Sequence, residues 1–196
     1  MNVEPGEIAE LLVLATELAL EAGALLAERQ PHVRRVVDTK SSPTDMVTEV
    51  DRETEALIVG RILAARPDDG VLGEEGANRR GTSGVRWVID PLDGTTNYLY
   101  GYPAYAVSIG VESEGTTVAG VVYNAARNEL FSASKGGGAS LNGRAVSVSE
   151  QERLDLALCG TGFGYDREMR RRQAAVCNLM IPQLRDIRRS GSAAID

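Results

Sequence analysis

Two aspartates three residues apart, Asp90 and Asp93, stand in the stretch WVIDPLDGTTNYLYGYP (87–103), directly after an apolar run. Carboxylates held at a turn are hard oxygen donors and suit a cation such as magnesium. Gly94 and Thr95 follow at once, and the N–H groups that open a helix suit a phosphate. Pro91 fixes its own backbone angle and drives Asp90 towards an extended conformation. The stretch therefore reads as a strand, Trp87 to Ile89, that ends on Asp90 and turns sharply. A short helix is expected to start near Gly94-Thr95-Thr96. The same residues also make an ordinary turn, because Asp-Pro and Asp-Gly are common turn formers and Asp93 can cap a helix.

More acids precede this stretch. Val71-Leu72-Gly73-Glu74-Glu75-Gly76 reads as a short strand running into a loop. Neighbouring side chains on an extended segment point to opposite faces, so Glu74 and Glu75 cannot both hold one ion directly. Either one is a ligand and the other lies behind it, or both are solvated loop acids. Asp51 sits three residues after Thr48 with the spacing of a capping box. A carboxylate in a first helical turn can also face a metal, and the two roles compete.

The elements that must position these acids follow from periodicity. Residues 7–29 form one amphipathic helix, with Ile8, Leu11, Leu12, Ala15, Leu18, Ala19, Ala22, Leu25 and Leu26 on a single stripe. Gly23 within it permits close packing. Val33 to Val37 is a candidate strand, and Lys40 to Asp45 a polar loop broken by Pro43. A second helix runs from about Thr48 to Ala65 and buries Val50, Thr54, Leu57, Ile58, Ile62 and Ala65. Asn78 to Gly84 is loop-like. Beyond Pro103 the pattern turns to strands over 104–112, 116–123 and 128–134, with Asn142-Gly143 as a hairpin signal and 146–148 closing the sheet. The glycines at 136–138 are not a phosphate loop, since no GK[ST] helix follows.

Near Glu150 the character changes. Leu156–Gly160 reads as a buried strand, Thr161–Gly164 as a loop, and Asp166 as the start of an arginine-rich helix with Pro182 near its end. The arginine run is read as a solvated helix face. Asp186–Arg189 is a short strand, and Gly191-Ser192-Ala193-Ala194 looks like another helix start. Residues 1–150 are thus expected to form an N-terminal α+β domain, two helices on a largely antiparallel sheet. Residues 151–196 are expected to be the opening of an α/β domain that is incomplete in this chain.

Composition limits the chemistry. The chain has 196 residues, 43% of them hydrophobic, and a net charge of −7. That allows a real core and argues against general nucleic-acid binding through a basic face. One histidine, His32, beside Pro31 at a helix end, reads as a surface residue. It excludes a multi-histidine zinc site and gives a Ser-His-Asp triad little support, so hydrolysis here must rest on carboxylates. Two cysteines are too few for a disulfide framework, and a reducing cytoplasm is the expected location. The acidic N-terminus is no secretory signal, and the apolar run at Leu11–Leu20 is too short and too interrupted to span a membrane.

Taken together, KSSPTDMVTEVD (40–51), GEE (73–75), DPLDGT (90–95) with TNYLYGYP after it, and RRSGSAAID (188–196) resemble the inositol monophosphatase family of magnesium-dependent, lithium-sensitive phosphatases. No one motif is decisive, but the ordered set spans essentially the whole chain. The resemblance implies a layered αβαβα sandwich of mixed α+β and α/β character, usually a homodimer. It implies two or three Mg²⁺ ions. Glu74, Asp90 and the Leu92 carbonyl would hold the first, Asp90 and Asp93 would share the second, and Asp51 with Glu74 would lie at a weaker third. Gly94 and Thr95 would bind the phosphate through backbone N–H groups, with Asp93 and Ala193 also on the substrate. Glu74 and the Thr95 hydroxyl would orient the attacking water, with Asp51 nearby. Glu75 and Lys40 would stand behind the ligands.

The implied substrate is inositol 1-phosphate or a related sugar phosphate, with fructose 1,6-bisphosphate and nucleotide 3′-phosphates as alternatives. Members of the family carry a further Trp-Asp-x-Ala-Ala-Gly motif whose aspartate ligates the second metal, and this chain lacks it. Binding of the first metal, much weaker binding of the second and little turnover are therefore expected. Two readings of other classes stand beside the enzyme: a non-catalytic partner-binding protein with a role in transcription, and a metal-binding α+β fragment without activity.

Overall fold

The computed structural model describes residues 4–30, 37–39 and 46–196, of which 37–39 and 46–48 are described as strand backbone only. Helix α1 spans Pro5–Arg29 and buries Leu11, Ala15, Leu18, Ala19, Ala22, Gly23 and Leu26, the stripe that its 3.6-residue period dictates. Gly23 is there for contact. A Cβ at that position would lie 2.4 Å from the Tyr123 ring. Strands β1 (Val37–Thr39) and β2 (Met46–Thr48) pair antiparallel. The strand expected at 33–37 and the loop at 40–45 otherwise fall outside the described residues.

Helix α2 runs from Glu49 to Ala65. Its inner face carries Val50, Thr54, Ile58 and Ile62 as expected, whereas Ala65 is exposed and two acids, Asp51 and Glu55, are buried. The Thr48 half of the expected capping box lies outside the described side chains.

Eight strands form one sheet in the order β10-β9-β8-β7-β6-β5-β3-β4. They are β3 (Gly70–Gly73), β4 (Asn78–Arg79), β5 (Val85–Asp93), β6 (Ala106–Ser113), β7 (Thr116–Asn124), β8 (Glu129–Ser134), β9 (Gly138–Leu141) and β10 (Arg144–Val146). Every pairing is antiparallel except β3 with β5. Helix α1 covers β6, β7 and β8, α2 covers β5, and the two helices touch each other. Between helices and sheet lies the core, with Trp87, Ile109 and Val107 almost wholly buried beside Leu18, Leu26 and Ile58. Trp87 Nε1 donates to the buried Asp69 carboxylate at 2.8 Å, which also accepts from Ser83 Oγ at 2.7 Å and Arg66 Nε at 2.8 Å.

Three expectations are corrected. First, β5 does not end on Asp90. It continues through Pro91 to Asp93, with a register shift that sets Asp90 opposite Ser108 and Asp93 opposite Ala106. The extra residue is a bulge, and β3 stops pairing with β5 at Ile89, so no ladder partner on that side needs the N–H that Pro91 lacks. Second, residues 78–84 are not all loop. Asn78 and Arg79 return alongside β3 as strand β4. Third, strand β11 (Leu158–Gly160) is not buried, and Leu158 is 61% exposed. It pairs in parallel with β12 (Asp186–Arg188) in a two-stranded sheet that brings no apolar cover to its side chains. At 191–194, where a helix start is expected, the chain makes a single turn in which Ser192 O accepts from Ile195 N and Asp196 N, the bonds of a first helical turn.

The short helix α3 spans Thr95–Tyr100 and begins where expected. Helix α4 spans Arg167–Met180, capped by Asp166, whose carboxylate accepts from Met169 N at 2.8 Å. No helix among the described residues is long and apolar enough to cross a membrane.

Candidate active site

Sheet register brings the acids together. Gly73 of β3 lies opposite Ile89 of β5, so Glu74, one residue on, comes level with Asp90. The parallel pairing sends both strands off the sheet at the same end, where loops can converge on a ligand. A cleft of about 340 Å³ opens there, lined by Glu74, Asp90, Leu92, Asp93, Gly94, Thr95 and Ala193 among others. A larger cavity, about 610 Å³, lies at the β3–β4 edge beside Arg79, Arg80 and Arg86 and gathers no acids beyond Glu112, which is paired with Arg86 at 2.7 Å.

The turn between β5 and α3 is held by its own hydrogen bonds. Asp90 Oδ1 accepts from Leu92 N at 3.1 Å, and the Leu92 carbonyl accepts from Thr95 Oγ1 at 3.1 Å. Gly94 caps α3 with φ of 92°, in the left-handed region that a side chain resists. A Cβ there would also lie 2.9 Å from Ala104 O and 3.2 Å from Ser192 Cβ. Glycine is thus required both by the turn and by the approach of the 191–196 segment.

That segment is tied to Asp93. Ser192 Oγ donates to Asp93 Oδ2 at 2.6 Å, Ala194 N to the same oxygen at 2.7 Å, and Ala193 N to Oδ1 at 3.1 Å. Asn97 reinforces the junction by donating to Ala104 O at 2.6 Å and Ser190 O at 2.8 Å. Asp196 closes the turn from the other side, accepting from Ser190 N at 2.5 Å.

The electrostatics identify Asp90 as the strained member. Its carboxyl is pushed up from its ordinary 3.8 to about 9, first by burial, then by the charges of Glu74 and Asp93, the hydrogen bond with Glu74 and the charge of Asp51. Acids forced together in this way retain a proton unless a cation offsets their charge.

Glu74, Asp90, Leu92, Asp93, Gly94, Thr95 and Ala193, all singled out from the sequence, meet in this one cleft. Asp51 is buried at 3% exposure on the first turn of α2, near enough to act on Asp90 but not among the cleft's lining. Glu75 faces away, as strand alternation requires, towards Arg52 at 3.9 Å. Lys40 lies outside the described residues. Three participants were not foreseen. Ser192 grips Asp93 across 99 positions of sequence, Arg189 stands in the cleft wall over the Phe163 ring at 5.7 Å, and Glu55 holds the backbone of the Glu75–Ala77 loop. Glu55 left a local signal, its four-residue spacing from Asp51 on one helix face, and Arg189 and Ser192 lie in the RRSGSAAID stretch singled out above.

The donor set fits a hard divalent cation in its chemistry. Carboxylates dominate, a backbone carbonyl stands beside them, and their mutual repulsion is what such an ion relieves. Among the described residues no three acidic side chains yet converge on a common point. Asp90 and Asp93 are instead engaged by the hydrogen bonds given above.

Residues 7–196 match the inositol monophosphatase family. An inositol-1-monophosphatase of Mycobacterium bovis is 44% identical over 214 aligned positions, covering 100% of this chain and 74% of that protein. A relative from Xylella fastidiosa named Nus factor SuhB is 39% identical, covering 93% of this chain and 66% of the relative. The crystal structure of the extragenic suppressor protein SuhB of Bartonella henselae superposes with a TM-score of 0.88 at 38% identity, over 95% of this chain and 72% of that one.

Proposed function

This chain belongs to the inositol monophosphatase family and has its layered α/β fold, and on that premise we propose that it is a magnesium-dependent phosphomonoesterase acting on inositol 1-phosphate or a related sugar phosphate. The observation that carries this reading is the convergence of Glu74, Asp90 and Asp93 on one cleft with the start of α3. Two or three Mg²⁺ ions are assigned to the acids. Glu74, Asp90 and the Leu92 carbonyl would hold the first, Asp90 and Asp93 the second, and Asp51 with Glu74 the third. When bound, such ions acidify water and offset the charge of a dianionic phosphate.

The chain's own groups do the rest. The first-turn N–H groups of α3, which have no intrahelical acceptor, take the phosphate at Gly94 and Thr95. The Thr95 hydroxyl donates to Leu92 O, so its oxygen is left to accept a hydrogen bond from the attacking water and orient it, with Glu74 as the second acceptor. Asp93, held by the 192–194 turn, presents a fixed edge to the polyol, and Ala193 lines the same wall. Lithium inhibition, a cytoplasmic homodimer and a boundary near residue 150 between two structural units belong to the same reading.

A second reading, a partner-binding role in transcription, draws on the name of the Xylella fastidiosa relative. The acids of the cleft favour chemistry, since a binding role alone has no use for Glu74, Asp90 and Asp93 gathered in one cleft beside the start of α3.

The test is phosphate release from inositol 1-phosphate by the full chain with Mg²⁺, with and without lithium, beside Asp90→Asn. Slow, lithium-sensitive release that falls about a hundred- to a thousandfold in the variant is expected, on the scale of losing a transition-state charge stabiliser. Release indifferent to the substitution would overturn the proposal, whereas no release at all would overturn turnover by this chain and leave its family membership standing. A partner pull-down that survives Asp90→Asn would then favour the second reading.

A further inference from the structure

Glu55 is a buried carboxylate for which the proposed chemistry has no use. It is 5% exposed on the inner face of α2, one turn after Asp51. Its two oxygens are committed to one loop. Oε2 accepts from Glu75 N at 2.8 Å and Oε1 from Ala77 N at 2.9 Å. The loop closes around that carboxylate, with Gly73 N donating to Ala77 O at 2.7 Å. Gly73 makes room for it, because a Cβ there would lie 2.1 Å from Glu55 Oε2. Residues 73–77 are thus wrapped on a single side chain from another element.

Glu74 sits inside this wrap. Its own N–H donates to Ile89 O at 3.1 Å, and the next N–H, that of Glu75, goes to Glu55. With both flanking peptides pinned, the direction of the Glu74 side chain is set: into the cleft beside Asp90, while Glu75 turns towards Arg52. Charge-assisted hydrogen bonds from backbone N–H to carboxylate are about twice as strong as neutral ones. One face of α2 therefore supplies two acids with different tasks. Asp51 acts on Asp90 through its charge, and Glu55 acts through the backbone.

We propose that Glu55 is a positioning residue for the cation site, holding the 73–77 loop so that Glu74 is presented to the ion beside Asp90. It touches neither ion nor substrate. This rests on the metal-dependent reading above. Groups that orient a ligand from behind typically change metal affinity ten- to a hundredfold when removed.

The test uses Mn²⁺ itself as the probe, titrated calorimetrically into the full wild-type chain and into Glu55→Gln, Glu55→Asp and Asp90→Asn, with amide hydrogen exchange recorded on each. Glu55→Gln replaces one acceptor by an NH₂ group that cannot accept from a backbone N–H. It should weaken the tightest Mn²⁺ site about ten- to a hundredfold. Exchange should rise at Glu75 and Ala77 while β6 and β7 keep their protection. Glu55→Asp keeps the buried charge but is one methylene short of spanning both N–H groups. It should lose affinity by a smaller factor, which keeps the idea testable if the glutamine variant folds poorly. Unchanged Mn²⁺ affinity in both variants, with Asp90→Asn weakened, would overturn this inference alone. Increased exchange across α2 and the whole sheet with affinity retained would do the same, since it marks a purely structural role. Mn²⁺ affinity unchanged in Asp90→Asn would overturn the proposed function and this inference with it.

Discussion

Every buried apolar side chain among the described residues lies before Asn124, in the body that also includes the last strands of the eight-stranded sheet, and in residues 151–196, beyond that sheet, only Ser192 is buried. The earlier region is organised by apolar packing of α1 and α2 on the eight-stranded sheet. The later one displays Leu158, Val176 and Leu179 at 59–68% exposure. Its named ties to the body are polar and fall at the cleft: Ser192, Ala193 and Ala194 on Asp93, and Ser190 on Asn97. The contrast separates two tasks. The body fixes Asp90 and Glu74 by strand register, while the later region fixes the orientation of Asp93 by hydrogen bonds. Loss of core packing should therefore unfold the molecule, whereas loss of a polar tie should disturb the cleft and leave the body standing.

Ile109→Ala gives the largest effect on stability. The side chain is 1% exposed in central β6, and truncating such a residue costs about 2–5 kcal/mol. Urea unfolding followed by tryptophan fluorescence reads it through Trp87, on the neighbouring strand. Next comes Ser192→Ala, which removes a donor to a carboxylate, a bond of about 1.5–3 kcal/mol. The account expects the loss to appear as faster amide exchange over 192–196 with β6 and β7 unaffected. Uniform exchange across both regions would erase the distinction drawn above. Tyr98→Phe should cost about 1 kcal/mol, because its hydroxyl donates to Leu26 O at 2.6 Å and ties α3 to the end of α1. Smallest of all is Val176→Ser on α4, expected within about 0.5 kcal/mol of wild type by the same unfolding measurement, since an exposed side chain away from special features contributes little. A loss of several kcal/mol there would mean that α4 packs as a core helix and that the comparison is wrong.

The body was largely legible in the sequence because its signals are local. The α1 stripe, the opposite facing of Glu74 and Glu75, the turn at DPLDGT and the Asn142-Gly143 hairpin each follow from residues within a few positions of one another. The failures have long-range causes. Pro91 read as a strand end, but a bulge where β3 has stopped pairing tolerates it. Leu158 read as buried from its apolar neighbours, but burial depends on what covers a strand, which no local pattern encodes. Ser192 and Asp93 are 99 positions apart, so no local pattern predicts their hydrogen bond, although the resemblance placed neighbouring Ala193 with Asp93 at the substrate. Glu55 resembles any helix-surface acid until Gly73 passes over it.

The measurement that bears most directly on the central claim is the pH dependence of stability in metal-free protein, with and without saturating Mg²⁺. The Asp90 carboxyl is raised in the folded state from 3.8 to about 9. Across that window the folded protein holds a proton that the unfolded chain has released, so stability must fall as pH rises from about 4 to about 9. Below that window both states are protonated and the contribution is nil. The account predicts this decline in the wild type, its loss in Asp90→Asn, and its suppression by Mg²⁺. A profile that is the same for wild type and Asp90→Asn, and that Mg²⁺ leaves unmoved, would contradict it.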